Sequence, residues 1–255
     1  MDSRAIGVFD SGIGGMTVAA QIKKYLPSER IIYFGDTARV PYGTRGDGII
    51  REYAKQDCRF LLSRDVKAIV AACGTVSSVA LDAVIAESSV PVYGVTEPTA
   101  RYAAKKYKNG RVGIIGTPAT IESGSYEKLI KGISPECEVV SAACPLFVPL
   151  VESGMTDGEL VALAAKEYIL PMGNLDALIL GCTHFPLLAA TISRILPGTE
   201  LINTGECLAK EMVETIEKGL GGEDEYFVSD IGRGTAELAC RIMGRGVTLE
   251  VASAE

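Results

Sequence analysis

The chain of 255 residues has no tryptophan and a single histidine, His184. Any chemistry that needs an imidazole must use that one side chain. Its seven cysteines, at positions 58, 73, 137, 144, 182, 207 and 240, are odd in number and include no CxxC pair. That spacing disfavours both a disulfide framework and a zinc knuckle, so no metal is expected. Lysine and arginine number 25 against 32 acids, for a formal net charge of −7, and no basic run is longer than the pairs at Lys23 and Lys105. A nucleic-acid partner is therefore disfavoured. The longest mostly apolar stretch, 139–151, is interrupted by Ser141, Pro145 and Pro149 and is too short to cross a bilayer. The N-terminal MDSRAIGVFDSGIGG meets Asp10 and a glycine cluster where a signal peptide needs an unbroken apolar core, so export is not expected and a cytoplasmic location is.

What is present is the make-up of an ordinary globular protein, 47% hydrophobic and 22% charged, long enough for one large domain or two small ones. Short runs rich in Val, Ile and Leu alternate with segments of helical period. AIGVFDSG leads to a helix over 16–25, IIYFGD to one over 49–62, KAIVAACG to 77–86, and PVYGVT to 99–106. The pattern restarts after Asn109-Gly110: RVGIIGTPAT then 121–131, CEVVSAAC, a helix over 157–169, DALILGCTHF then 187–196, and TELINTGE then 207–218. These are βα units around parallel sheets buried on both faces, and the fold class is α/β. The tail, with strands in DEYFVSD and VTLEVAS and a helix over 235–243, has no host that periodicity can fix.

The restart reads as an internal duplication. Gly7-Val-Phe-Asp-Ser-Gly12 can be laid on Gly113-Ile-Ile-Gly-Thr-Pro118, and KAIVAACGT on DALILGCTH, with Cys73 on Cys182; the offsets are 106 and 109. Two copies would each present strand-end loops at the carboxyl edge of a sheet, where open α/β folds bind ligands. A cleft between the copies is the expected site.

Cys73 and Cys182 each close an apolar strand and precede small polar residues expected to open a helix, where N–H groups and the helix dipole favour a thiolate. Cys58, Cys137, Cys144, Cys207 and Cys240 read as buried small hydrophobes. The turn Asp10-Ser-Gly-Ile-Gly-Gly15 lacks both the GxGxxG spacing and the Lys-Ser/Thr of a phosphate loop; it reads as presenting Asp10 and Ser11 to a ligand. Pro41-Tyr-Gly43 is a turn by composition. Thr117 and Thr120 sit at a helix start, either as caps or as hydroxyls offered to a carboxylate. For His184 three readings stand: a core histidine, the base of a Cys–His acyl transfer, or a polariser of a nearby thiol.

FDSGIGG at 9–15, YFGDTARVPYG at 33–43, AACGT ending at Thr75, GVTEP at 94–98, GTPATI at 116–121, PLFVPLVE at 145–152 and GCTHFP at 181–186 together resemble the glutamate racemases of the cofactor-independent aspartate/glutamate racemase superfamily, over nearly the whole chain. The resemblance implies two similar doubly wound α/β domains, 1–97 with 207–255 and 98–206, and an active site in the cleft between them. It implies Cys73 and Cys182 as the catalytic acid/base pair, assisted by Asp10, Glu152 and His184. Ser11, Pro41, Tyr42, Gly43, Thr75, Thr117, Thr120 and Thr183 match positions that line the substrate pocket. Position 74 departs: the family pattern has asparagine where this chain has Gly74. An amide there would hydrogen-bond the substrate, so Gly74→Asn is expected to raise kcat/KM several-fold.

The implied activity is conversion of L-glutamate to D-glutamate for peptidoglycan precursors, with glutamate as the small-molecule partner, no cofactor, and a homodimer as one assembly it allows. Racemisation removes a proton from one face of Cα and returns one to the other. Two facing thiols, one ionised, meet that need as a coupled pair. An ordinary thiol pKa of about 8.5 already lies near working pH, and Asp10 beside one thiol with His184 or Glu152 beside the other would complete the tuning. The alternatives are racemisation of aspartate or another amino acid, a Cys182/His184 hydrolase or acyl transferase, and a ligand-binding relative that does no chemistry.

Overall fold

The computed structural model describes residues 2–254. It contains two parallel sheets with helices on both faces. The first is built on β1 (Ile6–Asp10), followed by α1 (Met16–Tyr25), β2 (Ile31–Gly35), α2 (Asp47–Leu62), β3 (Ala68–Ala71), α3 (Gly74–Val79), α4 (Leu81–Glu87), β4 (Val92–Gly94) and α5 (Thr96–Lys106). The second holds β5 (Arg111–Gly116), α6 (Pro118–Glu122), α7 (Ser125–Ile133), β6 (Glu138–Ala143), α8 (Phe147–Glu152), α9 (Glu159–Ile169), β7 (Ala177–Leu180), α10 (Ala189–Ile195) and β8 (Glu200–Asn203). The chain then runs through α11 (Thr204–Thr215), β9 (Glu225–Val228), α12 (Thr235–Met243) and β10 (Glu250–Val251).

Strand order is β10-β9-β2-β1-β3-β4 in the first sheet and β6-β5-β7-β8 in the second. Each therefore repeats one arrangement, second-first-third-fourth, which is the topological form of the duplication. Gly7 pairs with Ile32 and Ile69, and Gly113 with Val140 and Leu178, so matched residues hold matched registers. The tail joins the first sheet, where β9 pairs with β2 and β10 with β9.

Alternate residues of a strand face opposite sides of the sheet. Ile6 and Val8 accordingly pack with Ile22, Leu208 and Met212, while Phe9 packs with Phe34, Phe60 and Leu61. Across the second sheet, Leu178 and Leu180 meet Phe147, Ile169 and Ile192, while Ala177 and Ile179 meet Ala103, Tyr126 and Ile130. Burial on both faces is why the central strands read as continuous apolar runs rather than as an alternation.

Several helices differ from the periodicity. The helix expected over 77–86 is two, broken at Ala80, whose φ of −138° leaves the helical region. That over 121–131 is split by Gly124 at φ 62°, a left-handed geometry glycine adopts without strain. The segment 187–196 begins as a 3-10 turn, Phe185–Leu188, before α10. The spans expected to begin at 49, 99, 157 and 207 begin at 47, 96, 159 and 204. Helix α8 is absent from the periodicity because Pro145 and Pro149 interrupt its apolar run. Pro149 falls in its first turn, where the missing N–H has no intrahelical partner to lose.

Candidate active site

β1 ends at Asp10, which is fully buried. One carboxylate oxygen accepts from the N–H groups of Gly12 at 3.1 Å and Gly15 at 3.0 Å, and the turn is pinned from below by Tyr33, whose hydroxyl donates to the Gly12 carbonyl at 2.6 Å. Burial pushes the Asp10 carboxyl up; His184 and these N–H groups oppose the shift.

The loop after β7 meets this turn. Thr183 donates to the other Asp10 oxygen at 3.3 Å, and Thr17 donates to the Thr183 carbonyl at 2.9 Å. His184 lies directly over Gly14: a side-chain carbon built there would be 2.4 Å from Nδ1. His184 Nδ1 is 3.9 Å from Cys182 Sγ. Nε2 is 3.3 Å from Glu152 Oε1, but off the line of the N–H, so this buried nitrogen makes an ion pair without a hydrogen bond. Burial opposes protonation of the imidazole, yet the Cys182 sulfur, Glu152 and Asp10 together raise it to about 10. The imidazolium form of His184 is therefore favoured beside the Cys182 sulfur. Glu152 also borders a cavity of about 180 Å³ with Ile13, Val40, Arg233 and Thr235.

Cys73 is set differently. It is the N-cap residue of α3, makes no side-chain cap bond, and its thiol donates to the Ser11 hydroxyl at 3.7 Å. Burial and the Asp10 charge push this thiol up to about 12. The expectation that each cysteine precedes small polar residues opening a helix holds for Cys73 alone, where Gly74 begins α3. Cys182 is followed by a turn whose next regular residue is Phe185 of the 3-10 segment, and His184 supplies the positive charge that a helix dipole supplies elsewhere.

The hydroxyls of Thr75 and Thr117 are 2.9 Å apart, as are those of Thr117 and Thr120, which makes a chain across the junction of the two sheets. Thr117 is also a helix cap, accepting from the Thr120 N–H. Gly43 accepts the Ala119 N–H at 3.1 Å, so the 41–43 turn reaches the second sheet through its backbone.

The Tyr42 ring is buried and its hydroxyl is bound to Asp36 and, at 3.0 Å, to Asp57. The exposed Pro41 carbonyl accepts from Arg45 Nε at 3.2 Å. Gly74 leaves no room for the amide that would raise kcat/KM, because a side-chain carbon there would lie 2.1 Å from the Gly181 carbonyl oxygen. The expected sign of Gly74→Asn is reversed.

Sequence reasoning missed Thr17, Tyr33 and the acid pair Asp36 and Asp57. Thr17 lies on a regular element and carries no local signal; Tyr33 and Asp36, in YFGDTARVPYG, stood in a quoted motif without a role. Among the described residues no group of three or more His, Cys, Asp or Glu could hold a metal ion, and no helix is long and apolar enough to cross a membrane.

Two α/β units of one topology meet here, with a thiol just past the third strand of each and a buried carboxylate and imidazole between them, the arrangement of a two-domain α/β protein. The model of the Asp/Glu/Hydantoin racemase family matches residues 15–212. The chain is 46% identical over 254 residues to a glutamate racemase of Geobacter metallireducens, covering 96% of this chain and 94% of that one. Its structure resembles that of a glutamate racemase from Francisella tularensis in complex with D-glutamate, with a TM-score of 0.91, 37% identity and coverage of 100% and 99%. A glutamate racemase of Bacillus anthracis gives a TM-score of 0.92 at 35% identity, with coverage of 98% and 97%. The chain belongs to the Asp/Glu/Hydantoin racemase family, groups within it with the glutamate racemases, and is an isomerase.

Proposed function

We propose that the protein interconverts L- and D-glutamate by moving the α-proton across the plane of a carbanion between Cys73 and Cys182. The observation that carries this reading is the asymmetry of the two thiols. Cys182 has an imidazolium beside it, and Cys73 has a buried carboxylate and a serine hydroxyl. In one direction Cys182 serves as the base and Cys73 as the acid. The Cys182 sulfur takes the proton from Cα and the electron pair stays on Cα, spread into the substrate carboxylate. The Cys73 thiol then protonates the opposite face, and the enzyme is left with the ionisation of its pair reversed. Asp10, Ser11, Gly43, Thr75, Thr117, Thr120 and Thr183 hold the amino acid in this reading. The residues 1–97 with 207–255 and 98–206 are the two units that close on it. No cofactor enters the reaction, and D-glutamate made in the cytoplasm supplies peptidoglycan precursors.

The test is proton exchange in deuterated water, followed at Cα by NMR for each L-amino acid. Glutamate is expected to exchange, with deuterium entering the product enantiomer early while recovered substrate stays protiated. Equal early labelling of both pools would indicate one mobile base. Activity should survive chelation and hydroxylamine. Cys182, His184 and Glu152 also stand in the order of an acyl-transfer triad. Cys73→Ala separates the readings: it abolishes racemisation but spares a hydrolase.

A further inference from the structure

The loops that carry the two cysteines meet glycine on glycine. A side-chain carbon on Gly74 would lie 2.1 Å from the Gly181 carbonyl oxygen, 3.1 Å from the carbonyl carbon and 3.6 Å from the Cys182 Cα. These obstacles are backbone, which cannot rotate aside as a side chain can. The Gly181 peptide is itself anchored, its N–H donating to the Ile115 carbonyl at 2.8 Å. Gly74 has an ordinary negative φ, being absent from the left-handed glycines of the chain, so conformational freedom is not the reason for glycine here. Space is the demand.

We infer that Gly74 is a positioning residue: by yielding its side-chain volume to the Gly181 carbonyl, it sets how closely the Cys73 and Cys182 loops approach. The inference rests on the two-thiol reading above. Elsewhere along the same seam Gly14 lies under His184, Thr75 meets Thr117, and Gly43 accepts from Ala119. The two sheets are thus in contact at several points, and a wedge at position 74 forces them apart between residues adjacent to both sulfurs. Moving an oxygen from 2.1 Å to ordinary contact requires a displacement of roughly 1 Å, and misplacement of reacting groups on that scale costs about 100-fold in rate.

The experiment compares Gly74→Ala and Gly74→Asn with wild type, and with Gly48→Ala, an exposed α2 position with open space around it. Two quantities are read: kcat and KM for glutamate, and the iodoacetamide alkylation rates of Cys73 and Cys182, resolved by peptide mass spectrometry against the partly exposed Cys240. Both Gly74 variants are expected to lose about 100-fold in kcat with a smaller change in KM. Because Cys73 and Cys182 are only 4% and 7% exposed in the closed seam, their alkylation should accelerate several-fold, while Gly48→Ala changes neither. Wild-type kcat with unchanged alkylation in Gly74→Ala overturns the inference. So does loss of the folded state by circular dichroism, since a seam that opens absorbs the wedge. If wild type does not racemise glutamate, the proposed function fails while the alkylation comparison still decides the role of Gly74.

Discussion

Cys182 Sγ stands 3.9 Å from His184 Nδ1, the nitrogen of the only imidazole in the chain, and this pairing gives the two thiols unequal surroundings in a molecule built from two like halves. Replacing His184 by glutamine removes the positive partner. A hydrogen bond to a charged group contributes about 1.5–3 kcal/mol, so kcat/KM should fall by about 10- to 150-fold. The enantiomers are equally stable, so kcat/KM must fall equally in the two directions. The individual kcat values should fall unequally, because only one direction starts from a Cys182 thiolate. Steady-state assays from both enantiomers check this; equal losses in kcat would remove His184 from the asymmetry.

The same substitution has a signature in stability. His184 is raised from an ordinary value of 6.5 to about 10, so the folded state holds the proton more tightly than the unfolded chain. Its contribution is fully present below about pH 6.5 and is lost as pH rises toward 10. The Tm deficit of His184→Gln should be largest near pH 6 and shrink by pH 10. A deficit independent of pH would mean that the imidazole acts by packing alone.

Tyr42 bridges Asp36 and Asp57, and one hydroxyl proton cannot serve two carboxylates. Burial and the neighbouring Asp36 push Asp57 well above the ordinary carboxyl range. A protonated Asp57 would let every group at this bridge be satisfied, and Arg39, with Nη2 at 3.4 Å from Asp57, opposes that protonation. A raised carboxyl binds more protons folded than unfolded, so stability falls as pH rises above about 4. Asp57→Asn keeps the donor without the ionisation. Its Tm relative to wild type should climb between pH 4 and pH 8, and a gap that stays flat across that range would show Asp57 to be ionised.

Tyr42→Phe leaves both acids without their bridge, at a cost of about 1–3 kcal/mol, which in a chain of this size is a Tm loss of about 2–12 °C. KM for glutamate should hold, because the side chain is committed to Asp36 and Asp57. Should KM rise tenfold at unchanged Tm, the tyrosine belongs to the pocket after all.

Phe147 is fully buried, with its ring edge-on to Phe185 at 5.1 Å and to Tyr168 at 5.4 Å. It begins the helix that ends at Glu152, and Phe185 follows His184, so one ring backs both members of the ion pair. Phe147→Ala should cost about 3–5 kcal/mol through lost burial and a cavity, and Phe147→Leu clearly less. Calorimetry showing equal Tm for the two variants would refute the packing role.

Local pattern was sufficient for the alternation of strands and helices, the restart at Arg111 and the placement of Cys73 and Cys182 at equivalent strand ends. Each of these is written in residues close together in the chain: apolar runs of strand length, helical period, and glycine or threonine immediately after a strand. Helix α1 at 16–25 and α12 at 235–243 were legible to the residue for that reason. Which partner each thiol receives was not. Thr183 reaches Asp10 across 173 residues, and Thr75 reaches Thr117 across 42; such contacts follow from how two sheets pack, and no period in the sequence encodes them. The inward turn of Tyr42 depends on Asp57, fifteen residues away on α2. The demand for glycine at 74 is likewise made by a carbonyl from the other half of the molecule, so the sequence showed which residue stood there while only the approach of Gly181 decided why.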